Sequence, residues 1–164
     1  MFVNDTPQRE PAAPPPRVQV RIRQIHAADR VLWEPLWQGY LSFYEKTIPP
    51  EATELTWKRL TTTGEIKGVL ALEGQGEAVG LAHFFYHPST SSLGGNCYLQ
   101  DLFVRPAQRG GGVGRKLIEA AAADARASHA AVLYWQTEEF NGPARRLYER
   151  IAKRSPFIRY QIDL

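Results

Sequence analysis

The order of the predicted strands and helices indicates an α/β (α+β) fold, with a mixed central β-sheet, helices on both faces and a glycine-rich strand-to-helix turn. Predicted strands cluster in the first half of the chain and then alternate with helices in the second half. The turn, Arg109–Gly114, stands between a strand and a helix. A chain of 164 residues is long enough to bury a core, so we expect one domain over residues 17–164.

The N-terminal segment differs in composition from the rest of the chain. Within residues 1–16, the stretch from 7 to 16 contains five prolines and almost nothing apolar beyond alanine. This composition favours an extended, poorly packed chain, so we expect a flexible tail. The domain then opens with a strand, because Val18, Val20 and Ile22 alternate with polar residues.

A helix with an aromatic stripe follows, and Asp29 is placed to cap its first turn. The aromatic residues recur at steps of four, three and four, at Trp33, Trp37, Tyr40 and Tyr44. We expect at least two of them to pack in the core. Two prolines at 49–50 then break the chain before a shorter helix around residues 55–60.

The remaining elements are predicted from alternation, glycine and proline. Strands over residues 66–72 and 79–87 are joined by a glycine-containing turn, which is typical of a hairpin. Further along, we expect a central strand over 97–104, a helix over 112–128, a strand over 131–137, a helix opening at 141–143 and a closing strand over 158–164.

Regular alternation along the central strand sorts its side chains onto two faces of the sheet. One face is expected to carry Tyr98, Gln100, Leu102 and Val104. The other is expected to carry Cys97, Leu99, Asp101 and Phe103.

Composition argues against several classes of protein. A net charge of +3 without a dense basic stripe disfavours a nucleic-acid-binding module. No apolar run approaches the ~20 residues of a membrane span, and we see no secretion signal. Cys97 is the only cysteine, which fits a reducing cytoplasm, and we expect a small strand residue, not a catalytic thiolate. The four histidines lack metal-ligand spacing, so we expect no metal site.

The glycine-rich turn has the composition of an anion-binding site. Consecutive glycines lose much conformational entropy on folding, and close approach of a ligand to the backbone is a reason to keep them. The N–H groups of Gly110, Gly112 and Gly114 can converge on an anion at the positive end of the helix dipole. Arg109 and Arg115 flank the turn and can bind phosphate. A flexible loop before a helix is the alternative.

Two common nucleotide-binding motifs do not fit this turn. A Walker-type loop requires Lys and then Ser or Thr after its last glycine, but Arg115 and Lys116 follow Gly114. A dinucleotide fingerprint would require glycine or alanine in place of Leu117. Neither motif therefore explains the turn.

The segment Val104–Gly114 resembles the acyl-CoA-binding signature of the GNAT superfamily of N-acetyltransferases, whose core is Arg/Gln-x-x-Gly-x-Gly/Ala. A second signature of that superfamily, Asn-x-x-Ala-x-x-Leu-Tyr, is matched by Asn141, Ala144, Leu147 and Tyr148. The resemblance covers roughly residues 18–164. Two motifs in the right order make a chance match improbable.

The resemblance implies that acetyl-CoA is the cosubstrate and that its acetyl group passes to a primary amine by direct attack on the thioester. It implies that the backbone of Leu102, Phe103 and Val104 contacts the cofactor, with the Leu102 N–H facing the thioester oxygen. Tyr148 is implied as the general acid for the departing thiolate, and Asn141 as a cofactor contact or a helix cap. The cofactor contacts implied around these residues are Arg109, Gly110, Gly111, Gly112, Val113, Gly114 and Arg115.

Within the superfamily, the run Leu99–Val104 resembles the polyamine and histone-and-polyamine acetyltransferase branch. That branch carries a glutamate immediately before the aspartate, where this chain has Gln100, which cannot accept a proton. Asp101 is then a candidate to anchor a cationic substrate or to act as base through water. A structural role beside an arginine or tyrosine is the alternative.

The expected partner is a small-molecule or peptide amine acceptor, in the cytoplasm, without nucleic acid or membrane, and a homodimer is compatible with this interpretation. The alternative function is a catalytically silent acyl-CoA-binding or regulatory domain. Such a domain would keep the glycine turn but lack a working acid.

Overall fold

The computed structural model describes residues 19–164, so the predicted proline-rich tail over residues 1–16 lies outside the described residues. Its five strands are β1 (Val20–Gln24), β2 (Lys67–Glu73), β3 (Glu77–His87), β4 (Asn96–Val104) and β5 (Val132–Tyr134). Its α-helices are α1 (Arg30–Phe43), α2 (Pro50–Lys58), α3 (Val113–Ala127) and α4 (Gly142–Ile151). Within residues 19–164, no helix is both long and apolar enough to cross a membrane.

The strands form a single mixed sheet in the order β1-β2-β3-β4-β5. The pairs from β1 to β4 are antiparallel, β2 and β3 forming the predicted hairpin, whereas β4 and β5 run parallel. One face packs against α1 and α2 in a core that contains Trp33 and Leu70. The other face packs against α3 and α4 in a core that contains Phe84 and Leu117. The predicted sheet with helices on both faces is confirmed.

The aromatic stripe of α1 faces the sheet. Trp33, Trp37 and Tyr40 are buried, and Tyr44, which follows the last residue of the helix, is half-buried. The Trp37 indole N–H donates a hydrogen bond to the Thr53 hydroxyl of α2 at 3.1 Å, which joins the two helices. The expectation that at least two of these aromatics pack in the core is confirmed.

Asp29 has a different role from the predicted one. Its carboxylate accepts hydrogen bonds from both Nη groups of Arg23, at 2.6 and 2.7 Å, and from the His26 backbone N–H at 2.7 Å. It makes no side-chain hydrogen bond to the first turn of α1, so the prediction of a helix cap is wrong. The reason is that a bidentate arginine and an N–H group outside the helix already occupy its oxygens.

Strand β4 carries one extra residue, Gln100, relative to β3. Asp101 lies opposite His83, but the next residue of β3, Phe84, lies opposite Leu99, so Gln100 has no partner. A bulge of this kind reverses the alternation of side chains along the strand. The predicted regular alternation is therefore wrong on the N-terminal side of Asp101.

The bulge sorts the side chains of β4 differently from the prediction. Cys97 and Leu99 lie in the α3-side core, together with the half-buried Leu102 and Val104. Phe103 lies in the α1-side core. Asp101, opposite His83, faces α1 as well, which separates it from the apolar residues that precede the bulge.

Strands β4 and β5 separate after a short parallel stretch. The register joins Asn96, Cys97 and Tyr98 to Val132, Leu133 and Tyr134. From Leu99 to Val104, β4 has β3 as its only strand neighbour within the described chain. The strand predicted over 131–137 is shorter for this reason, and the edge of β4 beyond Tyr98 is left unpaired.

The predicted closing strand over 158–164 is wrong, because residues 152–164 form no strand. The large apolar side chains of this segment are 74–119% exposed, namely Phe157, Ile158, Tyr160, Ile162 and Leu164. Its side-chain link to the rest of the domain is the hydrogen bond from Arg159 to Gln136 at 2.8 Å. Within residues 19–164, no neighbouring strand offers this segment a ladder of hydrogen bonds.

Candidate active site

At the unpaired edge of β4, the backbone N–H and C=O groups of Leu102 and Val104 point towards the gap between β4 and β5. The Arg105 N–H donates to the Val79 carbonyl of β3 at 2.9 Å. Because the direction of backbone groups alternates along an antiparallel strand, Leu102 and Val104 direct theirs away from β3. The Val104 carbonyl accepts a hydrogen bond from Arg109 Nε at 3.0 Å on that side. The Leu102 N–H therefore faces the gap beside β5.

The glycine turn needs glycine at two positions for conformational reasons. Gly110 and Gly112 have φ values of +81° and +89°, a region that residues with a Cβ rarely adopt. Apart from Gly112 itself and its two chain neighbours, no protein atom would lie within 4 Å of a Cβ atom at Gly112. The space over Gly112 is thus left open by the protein and can admit a ligand to the backbone.

Helix α3 begins at this turn without a side-chain cap. The Lys116 N–H donates to the Gly112 carbonyl at 3.1 Å, so the N–H groups of Val113, Gly114 and Arg115 precede the first full turn of hydrogen bonds. Uncapped N–H groups and the helix dipole together favour an anion. The start of α3 can therefore hold a phosphate group.

The two arginines of the turn make contacts within the protein. Arg109 donates from Nε to the Val104 carbonyl, and its guanidinium lies 4.8 Å from the centre of the Phe43 ring. Arg115 donates from Nε to Glu119 at 2.7 Å. Both side chains are exposed. Each guanidinium carries five N–H groups, so these contacts leave others to face a ligand.

Helix α4 is fixed beside the glycine turn. Its N-cap is Asn141, which accepts a hydrogen bond from the Ala144 N–H at 3.4 Å and donates to the Thr137 hydroxyl at 3.3 Å. The position of the Gly114 Cβ, if present, would be 3.5 Å from a methyl group of Leu147. This is an ordinary van der Waals distance, so α4 lies against the first turn of α3 and the two sequence motifs meet in space.

Tyr148 lies on α4 beside this junction. Its ring is half-buried and packs edge-on against Trp135, with ring centres 5.3 Å apart. Burial, with a smaller effect of the nearby Tyr44, raises the pKa of the Tyr148 phenol to about 12. The hydroxyl therefore keeps its proton at neutral pH and can donate it.

Asp101 lies among tyrosines on the α1 side of the sheet. Its residue is 7% exposed. Burial and the nearby Asp101 carboxylate raise the pKa of Tyr40, and burial with the Glu138 and Asp101 carboxylates raises the pKa of Tyr44. The Lys46 ammonium lies 5.3 and 5.5 Å from the centres of these two rings. The cleft thus combines a carboxylate with aromatic faces that already hold one ammonium group.

Sequence reasoning missed the hydrogen-bond partners of Asp101. His83 Nδ1 lies 3.0 Å from the Asp101 carboxylate, and the Trp33 indole N–H donates to His83 Nε2 at 2.8 Å. The sequence contains no indication of a role for His83, since the histidines show only that they lack metal-ligand spacing. The signal that could have found it is the pairing of β3 with β4, which places His83 opposite Asp101.

Two further features contain none of the site residues predicted from the sequence. Cys97 is buried in the α3-side core, and burial raises the pKa of its thiol, in agreement with the predicted structural role. A cavity of about 360 Å³ lies between α1 and α2, lined among others by Glu34, Lys46 and Glu54. None of the site residues predicted from the sequence lines that cavity.

A family model and two curated relatives that resemble this chain all describe N-acetyltransferases. Residues 33–152 match the model of the "Acetyltransferase (GNAT) family". The chain is 31% identical over 145 residues to the D-amino-acid N-acetyltransferase HPA3 of Saccharomyces cerevisiae, covering 87% of this chain and 90% of that protein. It is 33% identical over 131 residues to the uncharacterized N-acetyltransferase YhfO of Bacillus subtilis, covering 80% and 87%.

Solved structures share the fold. The crystal structure of a probable acetyltransferase has a TM-score of 0.79 and 28% sequence identity, covering 88% of this chain and 97% of that chain. AAC(6')-Iy in complex with the bisubstrate analog CoA-S-monomethyl-acetylneamine has a TM-score of 0.71 and 18% identity, covering 88% and 99%, a likeness of fold alone. From the family model and the curated relatives it follows that the chain belongs to the GNAT family of N-acetyltransferases.

Proposed function

We propose that the protein transfers an acetyl group from acetyl-CoA to a primary amine that is cationic in solution, a small amine or a lysine side chain. The observation that carries the proposal is the meeting of three features beside the gap between β4 and β5. These are the outward-facing N–H of Leu102, the uncapped start of α3 and the protonated phenol of Tyr148. We place the reaction in the cytoplasm, which the single, buried Cys97 supports.

The glycine turn is proposed to hold the pyrophosphate of CoA. Support comes from the open space over Gly112 and from the N–H groups at the start of α3, which fit an anion without a side-chain competitor. Arg109 and Arg115 are close enough in sequence to the turn to add charge-assisted contacts. Asn141 is proposed as a neighbouring contact, in addition to its role as the N-cap of α4.

The chemistry requires a neutral amine, a polarised carbonyl and a proton for the leaving thiolate, the acetyl group being supplied by acetyl-CoA as a thioester. An alkylamine has a pKa near ~10.4, so it loses a proton before its nitrogen attacks the acetyl carbon and the C–S bond breaks. The Leu102 N–H donates to the oxygen on which negative charge develops. Tyr148 donates its proton to the sulfur, the nitrogen loses its second proton to water as the amide forms, and a proton from solvent restores the phenol.

A cationic acceptor is supported by the charges and aromatic rings of the cleft. Asp101 supplies a negative charge, and the Lys46 ammonium over Tyr40 and Tyr44 shows that these ring faces suit a cation. We propose that Asp101 anchors the acceptor or takes its proton through water. The resemblance to the polyamine branch is compatible with this acceptor, and the D-amino acids in the name of the yeast relative also carry a primary amine.

The alternative is a catalytically silent domain that binds acyl-CoA. It would share the fold and the glycine turn, so neither of these distinguishes it from an enzyme. The enzyme is favoured because Tyr148 is present and packed beside the start of α3 as a protonated phenol.

We further propose that the chain forms a homodimer through its C-terminal segment, residues 157–164. Its exposed apolar side chains, of which Ile158 and Ile162 are two, would be covered by a second copy. The edge of β5 is also open within the described residues.

Gly112→Asp is expected to weaken CoA binding by about tenfold or more, which corresponds to about 1.4 kcal/mol, because it brings negative charge to the anion site. Gly112→Asn is the matched control, since it has the same shape and backbone strain without the charge. Calorimetry with CoA compares the two variants, after their melting temperatures show that both are folded. Equal affinities of the Asp and Asn variants would contradict the pyrophosphate assignment.

Tyr148→Phe is expected to lower kcat by about 10²-fold or more, because the ring packing is kept and the proton donor is lost. CoA affinity and melting temperature should change little. Because burial raises the pKa of Tyr148 to about 12, its ionisation should cause no loss of wild-type activity below about pH 11. Stopped-flow measurement of thiol release over this pH range tests both points. If Tyr148→Phe leaves kcat unchanged while the chemical step limits the rate, Tyr148 is not the general acid.

The function itself is tested by thiol release from acetyl-CoA with putrescine, Nα-acetyl-lysine and an amino acid as acceptors. We expect turnover with at least one of them, and Asp101→Asn should raise its KM by about tenfold or more as the negative charge is lost. Asp163→Asn makes the same change at an exposed site and should leave KM unaltered. CoA binding without thiol release from any amine would favour the silent domain.

Light scattering is expected to give the mass of a dimer for the wild type. Ile162→Asp should shift the protein towards the monomer, because it places a charge in the apolar interface, whereas Gln75→Asp, at an exposed position in the turn between β2 and β3, should not. A wild-type monomer at all accessible concentrations would argue against the dimer.

A further inference from the structure

A buried row of three polar side chains connects α1 to the acceptor side of the sheet. The Trp33 indole N–H donates to His83 Nε2 at 2.8 Å, and His83 Nδ1 lies 3.0 Å from Asp101 Oδ2. Trp33 and His83 are both 0% exposed. The chemistry of acetyl transfer described above gives neither residue a role, yet both lie behind the carboxylate that faces the acceptor.

The direction of every hydrogen bond in this row is determined by Trp33. An indole N–H can only donate, so His83 Nε2 must accept and carries no proton. The single proton of a neutral imidazole is then on Nδ1 and is donated to Asp101. The contact between His83 and Asp101 is therefore a hydrogen bond from a neutral ring, although its length would also suit an ion pair.

The negative charge of Asp101 is consequently left without a positive partner. Within residues 19–164, no lysine or arginine nitrogen lies within 4 Å of its carboxylate. The phenols of Tyr40, Tyr44 and Tyr98 also lie near it and are neutral at neutral pH. The Lys46 ammonium donates to the Tyr40 hydroxyl at 3.4 Å and makes no ion pair with the carboxylate. A buried carboxylate in this state is costly unless a cation joins it.

The second buried aspartate of the described chain shows the contrast. Asp29 is as buried as Asp101, at 6% against 7% exposed. Its carboxylate receives both Nη groups of Arg23, and that contact lowers the pKa of Asp29. Asp29, which has a structural role, is thus paired with a cation of the protein, whereas Asp101 is not.

We propose that Trp33 and His83 are positioning residues of the acceptor site, which fix the Asp101 carboxylate in one orientation and leave its charge to be matched by a cationic acceptor. The bulge at Gln100 contributes, because it sets Asp101 opposite His83. The inference rests on the proposed acetyl transfer. It identifies the oriented Asp101 carboxylate as the group that selects a positively charged acceptor. His83 acts through Asp101 and does not touch the acceptor.

The kinetic test is a double-mutant cycle on His83 and Asp101 with putrescine and Nα-acetyl-lysine. His83→Leu removes the donor and should raise the acceptor KM by about tenfold, with a smaller change in kcat and an unchanged affinity for CoA. His83→Asn offers an amide N–H close to the position of Nδ1 and should recover most of the loss. In the Asp101→Asn background, His83→Leu should have no further effect on KM.

The outcomes separate the two proposals. If the wild type releases no thiol with any amine, the proposed function fails. If it acetylates an amine but the effects of His83→Leu and Asp101→Asn multiply, His83 does not act through Asp101 and the inference fails alone. Equal losses in the Leu and Asn variants at His83 would also overturn it, since a donor would then be irrelevant.

A second measurement requires no turnover, and its main observation is made on the wild type. Nitrogen NMR of the wild type with labelled histidine should show His83 as the neutral tautomer protonated on Nδ1, assigned by its absence from the His83→Asn spectrum. Trp33→Phe removes the donor to Nε2 and should relax this preference between pH 5 and 8, where imidazoles titrate. A wild-type His83 protonated on Nε2 would overturn the inference even if the Leu variant did not fold.

Discussion

The arrangement of the site depends on one extra residue in β4, Gln100, which has no partner on β3. Because of this bulge, the side chains of Leu99 and Asp101 lie on opposite faces of the sheet. A regular strand would place Leu99 and Asp101 on the same face. The bulge instead leaves Leu99 in the α3-side core and Asp101 facing α1. The same strand therefore supplies apolar side chains to the core on one face and a carboxylate on the other face. Both lie close to the point where β4 separates from β5.

The two ends of the proposed reaction lie in opposite electrostatic environments. The start of α3 offers N–H groups and the positive end of a helix of 15 residues, whereas the α1 side offers the carboxylate of Asp101 and aromatic faces. Strand β4 separates them and presents the Leu102 N–H at its open edge. In the proposed reaction, an anion and a cation would thus lie on either side of one strand, with the reacting atoms between them.

Local sequence was sufficient for most of the fold, because the helices and the hairpin follow regular periodicities and because α2, α3 and α4 begin at proline or glycine. It also located the glycine turn and the helix of Tyr148, because both depend on short motifs. It could not place Asp101 correctly relative to its neighbours, since a bulge depends on the register of two strands and leaves no local signal. The hydrogen bonds of His83 span 50 positions to Trp33 and 18 to Asp101 along the chain, so only the tertiary structure reveals them. The last strand was predicted from alternation alone, and alternation does not guarantee a neighbouring strand to pair with.

The distribution of the four tryptophans gives the protein its own optical probes. Trp33 packs against both Trp37 and Trp57 in one group beside His83, whereas Trp135 packs against the ring of Tyr148. Fluorescence from the indole of Trp135 is therefore expected to respond to occupancy beside Tyr148, while the cluster responds to changes around His83. With Trp135→Phe as the reference, the order in which the two ligands arrive can be followed without attaching any dye.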